Sequence, residues 1–267
     1  RALTRAGGCR VGAPGRRPLR YGWSMSSSMS SSKSEARRRL RPEHLAAGLA
    51  SLGLTWLAVG RQRALEPLSP PDLAFFHQST WSAARGLGFA QTVLPFEGQG
   101  LLDSVHLSLV RALWVPAYWA LPHVETLVAL QALAVGVGAL AVAALARHHG
   151  LSARLAAALA FAYGLHPMSV ALATADLRPL VFAVPALLGV VLGVERRSLW
   201  LILGGAMGVI AAREEAVWLL LALVPLALSR RHVPSVVALA AGVGGALLSP
   251  MLAWGQLSHL AATTDHY

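Results

Sequence analysis

From His44 onward the chain alternates apolar runs with short polar breaks, at a spacing that suits a bundle of membrane-crossing helices. His44–Gly60 (HLAAGLASLGLTWLAVG) reads as the first span. Val124–Ala146, Leu151–Thr174, Leu180–Val194, Leu199–Ala212, Ala216–Leu228 and Val233–Trp254 follow, giving seven crossings. Two segments depart from this pattern. Asp72–Arg85 (DLAFFHQSTWSAAR) sets Leu73, Phe76, Thr80 and Ala83/Ala84 near one helical face, which predicts an amphipathic helix on the membrane surface. Leu107–Leu121 is short, holds Arg111 and Pro116, and carries Trp114, Tyr118 and Trp119, residues favoured at interfaces. It reads as a second interfacial or re-entrant helix. The expected fold class is all-α: a polytopic transmembrane helix bundle with interfacial helices in its first outer loop. Leu199–Leu228 leaves an alternative open, one long tilted helix with Arg213-Glu214-Glu215 at mid-depth, which would reverse everything after it.

Composition fixes the class. The chain is 55% hydrophobic and 13% charged, with a mean hydropathy of +0.54, well outside the soluble range. The net charge of +11 invites a nucleic-acid reading, and its distribution rejects one. Residues 1–42 hold eleven Lys/Arg against the single acid Glu35, so the basicity belongs to a tail before the first span. Such a tail holds an N-terminus in the cytoplasm and meets anionic lipid head groups. Its Ser-rich run after Met25 and Met29 predicts disorder, with 1–24 expected to lie upstream of the native start. Residues 43–267 are then the membrane domain. Cys9 is the only cysteine, so no intrachain disulfide forms.

Charge also tests the threading. The three short inner loops carry Arg147, Arg154, Arg196, Arg197, Arg230 and Arg231, with Glu195 as their only acid. Nine of the eleven acids after residue 42 fall on the outer side: Glu66, Asp72, Glu97, Asp103, Glu125, Asp176, Glu214, Glu215 and Asp265. This agrees with a multi-pass protein of the inner membrane whose N-terminus is cytoplasmic.

Ionisable groups at membrane edges are the candidates for chemistry. Asp176 and Arg178 stand between two apolar runs, and Arg213-Glu214-Glu215 between two more. Asp72, His77, Gln78, Asp103 and His106 gather in the first outer loop. Each has a plainer reading. Asp72 and Asp103 suit helix N-caps, Asp176 and Arg178 suit a local ion pair, and Glu214-Glu215 suits a solvated turn. His148-His149 suits the C-terminal end of a helix. The sequence holds no Gly-rich phosphate loop, paired-histidine metal motif or nucleophile elbow. Convergence of these groups on one outer face is what favours a site.

The order of the pieces resembles a bacterial membrane family catalogued as domain of unknown function 2079 (DUF2079) and grouped with the GT-C glycosyltransferases. Its Asp-Leu-x-x-Phe-x-Gln-x-x-Trp stretch is matched by Asp72, Leu73, Phe76, Gln78 and Trp81, with His77 where the family has Asp. A His-x-Ser element is matched by His106-Leu107-Ser108, with Leu109 in place of Pro. The stretches Pro116-Ala117-Tyr118, Thr126-Leu127 and Leu130-Gln131-Ala132-Leu133 follow in family order. Asp176-Leu177-Arg178-Pro179 stands for the family's Asp-Phe-His-Pro, and Arg213-Glu214-Glu215-Ala216 for Lys-Glu-Asp-Ala.

The resemblance covers about Pro70 to Trp254 and implies a chain that continues beyond Tyr267. It implies a GT-C-like bundle that transfers a sugar from a polyprenyl-phosphate donor at the extracytoplasmic face. In that reading Asp72 would be the general base, and Glu214 and Glu215 would act on sugar hydroxyls or hold a divalent cation. Arg178 and Arg213 would neutralise the departing lipid phosphate, while His77, Gln78, Trp81, His106 and Asp176 would line the substrate. The expected partners are the polyprenyl-linked sugar and membrane lipids, with no nucleic acid. A carrier or flippase whose path is lined by the same groups is the alternative, although no internal repeat is visible. The departures at His77 and Arg178 also leave room for a catalytically inactive scaffold.

Overall fold

The computed structural model describes residues 41–64, 70–93, 102–103 and 106–245. Residues 1–40 of the basic tail, Glu66, Glu97, Asp265 and the end of the last expected span lie outside the described residues; the tail's last two residues, Arg41 and Pro42, are not disordered but cap and open the first helix. Apart from one two-residue antiparallel pair, β1 (Leu102–Asp103) with β2 (His106–Leu107), the described chain is helical.

Helix α1 (Pro42–Arg63) opens with Pro42 and Glu43 in its first turn and closes with Arg61 and Arg63 in its last, a distribution that suits the helix dipole. Its Ser51 and Thr55 hydroxyls donate back to the carbonyls of Ala47 and Ser51, each at 2.8 Å, so their polar atoms are satisfied within the helix. Helix α2 (Pro70–Ala84) is the expected amphipathic helix. It buries Leu73, Phe76 and Thr80 as the spacing requires, and Phe75 and Ser79 as well. Helix α3 (Val110–Ala120) begins three residues later than the apolar run suggests, because Leu107 is taken into β2.

Helix α4 (Val124–His148) is the longest element. Helices α5 (Ala153–Leu165) and α6 (Pro167–Thr174) replace the single span expected over 151–174. They are bent by 52° at His166-Pro167. Pro167 brings no N–H, and His166 Nδ1 accepts the Met168 N–H at 3.2 Å, so the new helix is started by its own cap. A 3₁₀ turn (Pro179–Phe182) leads into α7 (Ala183–Arg196), which ends on Arg197 in the left-handed region, φ 54°. Helix α8 (Leu199–Ala212) stops at Arg213, whose backbone is extended. The uninterrupted helix left open for 199–228 is therefore not formed. A 3₁₀ turn (Glu214–Ala216), α9 (Val217–Leu221), α10 (Val224–Ser229) and α11 (Val233–Gly245) complete the described chain.

Among the described residues, two helical segments are long and apolar enough to cross a membrane: Val124–His148, of 25 residues, and Pro179–Arg196, of 18. The bent α5–α6 pair makes a third if it is one broken span. Three further apolar segments, 199–212, 217–229 and 233–245, are shorter. The 14 residues of α8 reach only about 21 Å at ~1.5 Å per residue.

Small residues bring the helices together. Helix α1 packs on α4 and α5 through Ala47, Ala139, Ala143 and Ala160. Gly136 faces Ser51, and Gly164 faces Ala50 with no room for a side chain. Helices α7 and α8 form an antiparallel hairpin in which a methyl group at Gly205 would stand 2.7 Å from the Ala186 carbonyl, and one at Gly193 2.8 Å from the Ile202 amide. Such close backbone approach is how apolar helices gain contact where the surroundings are themselves apolar.

These pairings give the bundle two ends. The start of α1 and the ends of α4 and α7 share one, where Arg230 donates to Glu195 Oε1 at 2.7 Å and His149 lies 3.9 Å from the same carboxylate. The end of α1 and the start of α4 share the other, where Arg63 meets Glu125 at 3.5 Å and Arg61 donates to the Thr174 hydroxyl at 3.0 Å.

Candidate functional site

Helices α2 and α3 pack on each other at the second end of the bundle. Phe75 and Phe76 touch edge to face, Phe76 meets Trp114 at 5.7 Å between centroids, and Trp114 meets Phe182 at 5.4 Å. This aromatic chain ties α2 and α3 to the turn that opens α7. Leu127 and Val128 of α4, together with Leu177 and Val181, complete the same core.

Above that core lies His77, whose Nε2 is 2.8 Å from the Tyr118 hydroxyl. Burial lowers the His77 pKa from its ordinary 6.5, against the opposing pull of Glu125. Burial likewise raises the Tyr118 pKa from 10.0, with Arg85 acting the other way. Both shifts favour the neutral forms, so the pair is a hydrogen-bonded couple rather than an ion pair. Gln78 holds the following loop: its Nε2 donates to Thr92 Oγ1 and its Oε1 accepts the Thr92 N–H, each at 3.0 Å. Trp81 is exposed and carries the Arg85 guanidinium on its face, 3.9 Å from the ring centroid. Asp72 is half-buried in the first turn of α2, as an N-terminal acid should be.

Beneath this layer Arg111 is fully buried. It donates through Nη2 to the Ser79 hydroxyl at 2.7 Å and lies within 5.1–5.4 Å of the rings of Phe75, Phe76 and Phe89. A guanidinium suits such surroundings because it is weakly hydrated and stacks on aromatic faces.

The 175–178 segment is held by Gln131. Its Nε2 is shared among the carbonyls of Leu172, Ala175 and Asp176 at 3.0–3.1 Å, and its Oε1 accepts the Arg178 N–H at 2.7 Å. The last carbonyls of α6 thus gain a partner from another helix. Asp176 is buried, 7% exposed, while Arg178 is exposed. At the end of α8, Arg213 Nε pairs with Glu215 at 3.3 Å.

The structure therefore joins His77 to Tyr118, Asp176 and Arg178 to Gln131, and Arg213 to Glu215. It also sets the three groups around one end of the bundle. The side chains of Asp103, His106 and Glu214 lie outside the described residues, although the backbones of Asp103 and His106 pair across β1–β2. Among the described residues no three carboxylate, histidine or cysteine side chains gather as a metal site. Gln131, Arg111 and Tyr118 are the structurally central polar groups that the sequence did not single out as site residues. Gln131 and Arg111 were visible as polar residues inside apolar helices, the kind that must find a partner.

A family model described as "Predicted membrane protein (DUF2079)" matches residues 70–256, well over half of the chain. No curated protein and no solved structure matches it.

Proposed function

The chain belongs to the DUF2079 family of predicted membrane proteins, and on that premise we propose that it is a GT-C-like membrane glycosyltransferase that takes its sugar from a polyprenyl-phosphate donor. The observation that carries the reading is the layer formed by α2 and α3. It is a polar shelf on an aromatic base, packed over the end of the bundle that holds Asp176, Arg178 and Arg213. A lipid-linked sugar needs such a junction, with an apolar flank for the prenyl chain and hydrogen-bonding groups for the sugar. In this reading all seven apolar segments cross, the short ones assisted by their 3₁₀ turns and connecting loops. The arginine-rich end faces the cytoplasm of an inner membrane, and the shelf faces outward.

The chemistry follows from the residue types. Asp72 removes the proton from an acceptor hydroxyl as its oxygen attacks the anomeric carbon. The bond from that carbon to the phosphate oxygen breaks, and the polyprenyl phosphate leaves with the electron pair. Arg178 and Arg213 stabilise the charge that develops on it. Glu214 and Glu215 bind sugar hydroxyls, and Asp176 and His106 line the cleft. The His77–Tyr118 couple and the Gln78–Thr92 clamp keep α2 in place, with Trp81 as a stacking face for a sugar ring.

The test is turnover of polyprenyl-phosphate hexoses and pentoses by the purified full chain in proteoliposomes. Release of free polyprenyl phosphate is expected, reduced by roughly 10²–10⁴-fold in Asp72→Asn. Movement of an intact labelled donor across the bilayer without its cleavage would replace this reading with a carrier. Neither cleavage nor movement would leave a scaffold.

A further inference from the structure

A cavity of about 600 Å³ opens at the other end of the bundle, between the start of α1, the end of α4 and the end of α7. Its α4 residues, Leu140 to Arg147, lie beyond Leu127 and Val128 of the shelf's core by about 18–30 Å at ~1.5 Å per residue. None of the residues assigned to sugar transfer lines it. Its size is that of a small-molecule site. Arg41, Arg147 and Arg196 line it together with the apolar Ala47, Leu140 and Ala143; Arg147 also donates through Nη1 to the Leu151 carbonyl at 2.6 Å and Arg196 through Nη2 to that of Ala144 at 3.5 Å. A basic rim over an apolar wall at a membrane edge is the chemistry that receives a phospholipid headgroup.

Glu43 changes which headgroup fits. It lines the same cavity, it is only 4% exposed, and its Oε2 has no hydrogen-bond partner. A buried carboxylate oxygen without a donor is costly, and arginines alone would suit any anion. Together they ask for a ligand with a phosphate and, a few ångströms away, a cation that can donate N–H bonds. We propose that this cavity binds the headgroup of an aminophospholipid, with Arg147 and Arg196 on the phosphate, Arg41 closing over it, and Glu43 receiving the primary ammonium. A trimethylated ammonium cannot donate to Glu43, and a glycerol headgroup brings no cation to it. The apolar wall favours the membrane-held lipid over the same headgroup free in water. The assignment does not depend on which leaflet this end faces.

Gly48 supplies a clean probe. It lines the cavity, and a Cβ there meets nothing within 4 Å. Gly48→Leu therefore adds bulk to the cavity from a position where a Cβ meets nothing, and replaces a helix-interior glycine by a good helix former. The experiment is native mass spectrometry of the full chain in detergent, titrated with phosphatidylethanolamine, phosphatidylcholine and phosphatidylglycerol of identical acyl chains, and with soluble glycerophosphoethanolamine. Phosphatidylethanolamine should bind at least about tenfold more tightly than the other two lipids, the worth of a charge-assisted hydrogen bond. Glu43→Gln should erase that preference, and Gly48→Leu should abolish binding of the lipid. Equal binding of the three lipids, or a preference for phosphatidylglycerol, overturns the proposal. Undiminished binding by Gly48→Leu moves the lipid to another place and overturns it equally. If glycerophosphoethanolamine binds as tightly as the lipid, the site is one for a soluble phosphate ester and the lipid assignment is wrong. The headgroup order of the unsubstituted chain decides the matter even if Glu43→Gln fails to fold.

Discussion

The two ends of the bundle handle polarity in opposite ways. Where α4, α7 and α10 finish, the basic groups stand largely in the open: the Arg230 and His149 side chains are 46% and 53% exposed around a Glu195 side chain that is itself 8% exposed, Arg147, Arg196 and Arg197 are exposed as well, and Glu43 is a second buried acid among them. At the shelf end the polar groups are inside. Arg111, Gln131 and Ser79 are at most 1% exposed, and Asp176 is nearly as deep. Water hydrates those basic groups whether or not the chain is folded, so their ion pairs add little to stability. The second set has lost its water and persists only because hydrogen bonds and aromatic faces replace it. The shelf end is therefore the one where single substitutions have structural consequences.

The largest consequence is expected at Arg111. Arg111→Ala removes the donor to Ser79 and the cation among three phenylalanine rings, and leaves a void under α2. With about 1–2 kcal/mol from desolvated cation–π contact, a similar amount from the hydrogen bond and a cavity term, the loss should be about 4 kcal/mol. Denaturant titration in detergent measures it, and a loss below about 1 kcal/mol would show that burial at this end does not mark a structural role. Gln131→Leu comes next. It keeps the volume but strips the carbonyls of Leu172, Ala175 and Asp176 and the Arg178 N–H of their shared partner. A cost of roughly 2–3 kcal/mol is expected, with faster amide exchange in 172–178 as its local signature.

A smaller and reversible way to probe the same end is pH. Burial lowers the His77 pKa from 6.5, so the unfolded chain binds the proton more readily than the folded one. Stability is then greatest above about pH 6.5 and falls as the pH drops through the folded value, because the unfolded state takes up a proton that the folded state resists. The quantity to follow is intrinsic tryptophan fluorescence, to which Trp114, buried between α2 and the α7 turn, contributes. Its midpoint of unfolding should decline from pH 7.5 to pH 5, and His77→Phe should flatten that decline. An identical slope in the variant would remove His77 from the account.

The difference between the ends also marks how far the sequence could be read. Helix α8 was legible residue for residue, and α4 to within two residues at its end, because continuous apolar runs closed by charge admit few alternatives. The shared buried face of Leu73, Phe76 and Thr80 followed from helical period alone. The exposed arginines were legible too, since a hydrated charge needs no partner to be placed. The bend at His166-Pro167 was not seen, because Pro is tolerated both inside and at the start of membrane helices and the deciding cap is a side-chain geometry. Gln131 and Arg111 were harder still. Each is explained by a partner 32–47 residues away, which no local pattern contains. Likewise, the choice between one helix and two over 199–228 turned on the extended backbone of Arg213, and both outcomes were compatible with the same apolar run.

The smallest effect belongs to the open end, and it is the sharpest check on the contrast. Arg230 donates to Glu195 Oε1 from Nη2 at 2.7 Å and from Nε at 3.1 Å, which makes it the best-formed ion pair described. By geometry alone it should outweigh the Gln131 contacts, two of which are 3.1 Å long. By hydration it should not, because the guanidinium is about half in water and, although the Glu195 side chain is only 8% exposed, Gln at this position still offers an N–H to the carboxylate. Arg230→Gln is therefore expected to cost no more than about 1 kcal/mol, and less as salt is added. The measurement is the same denaturant titration, run at low and at high ionic strength. If Arg230→Gln were to cost as much as Gln131→Leu, and to do so independently of salt, bond geometry rather than burial would govern this bundle. The distinction between an end with hydrated cations and a structural end would then fail, because the short ion pair would be holding α7 against α10 as firmly as Gln131 holds α6 against α4.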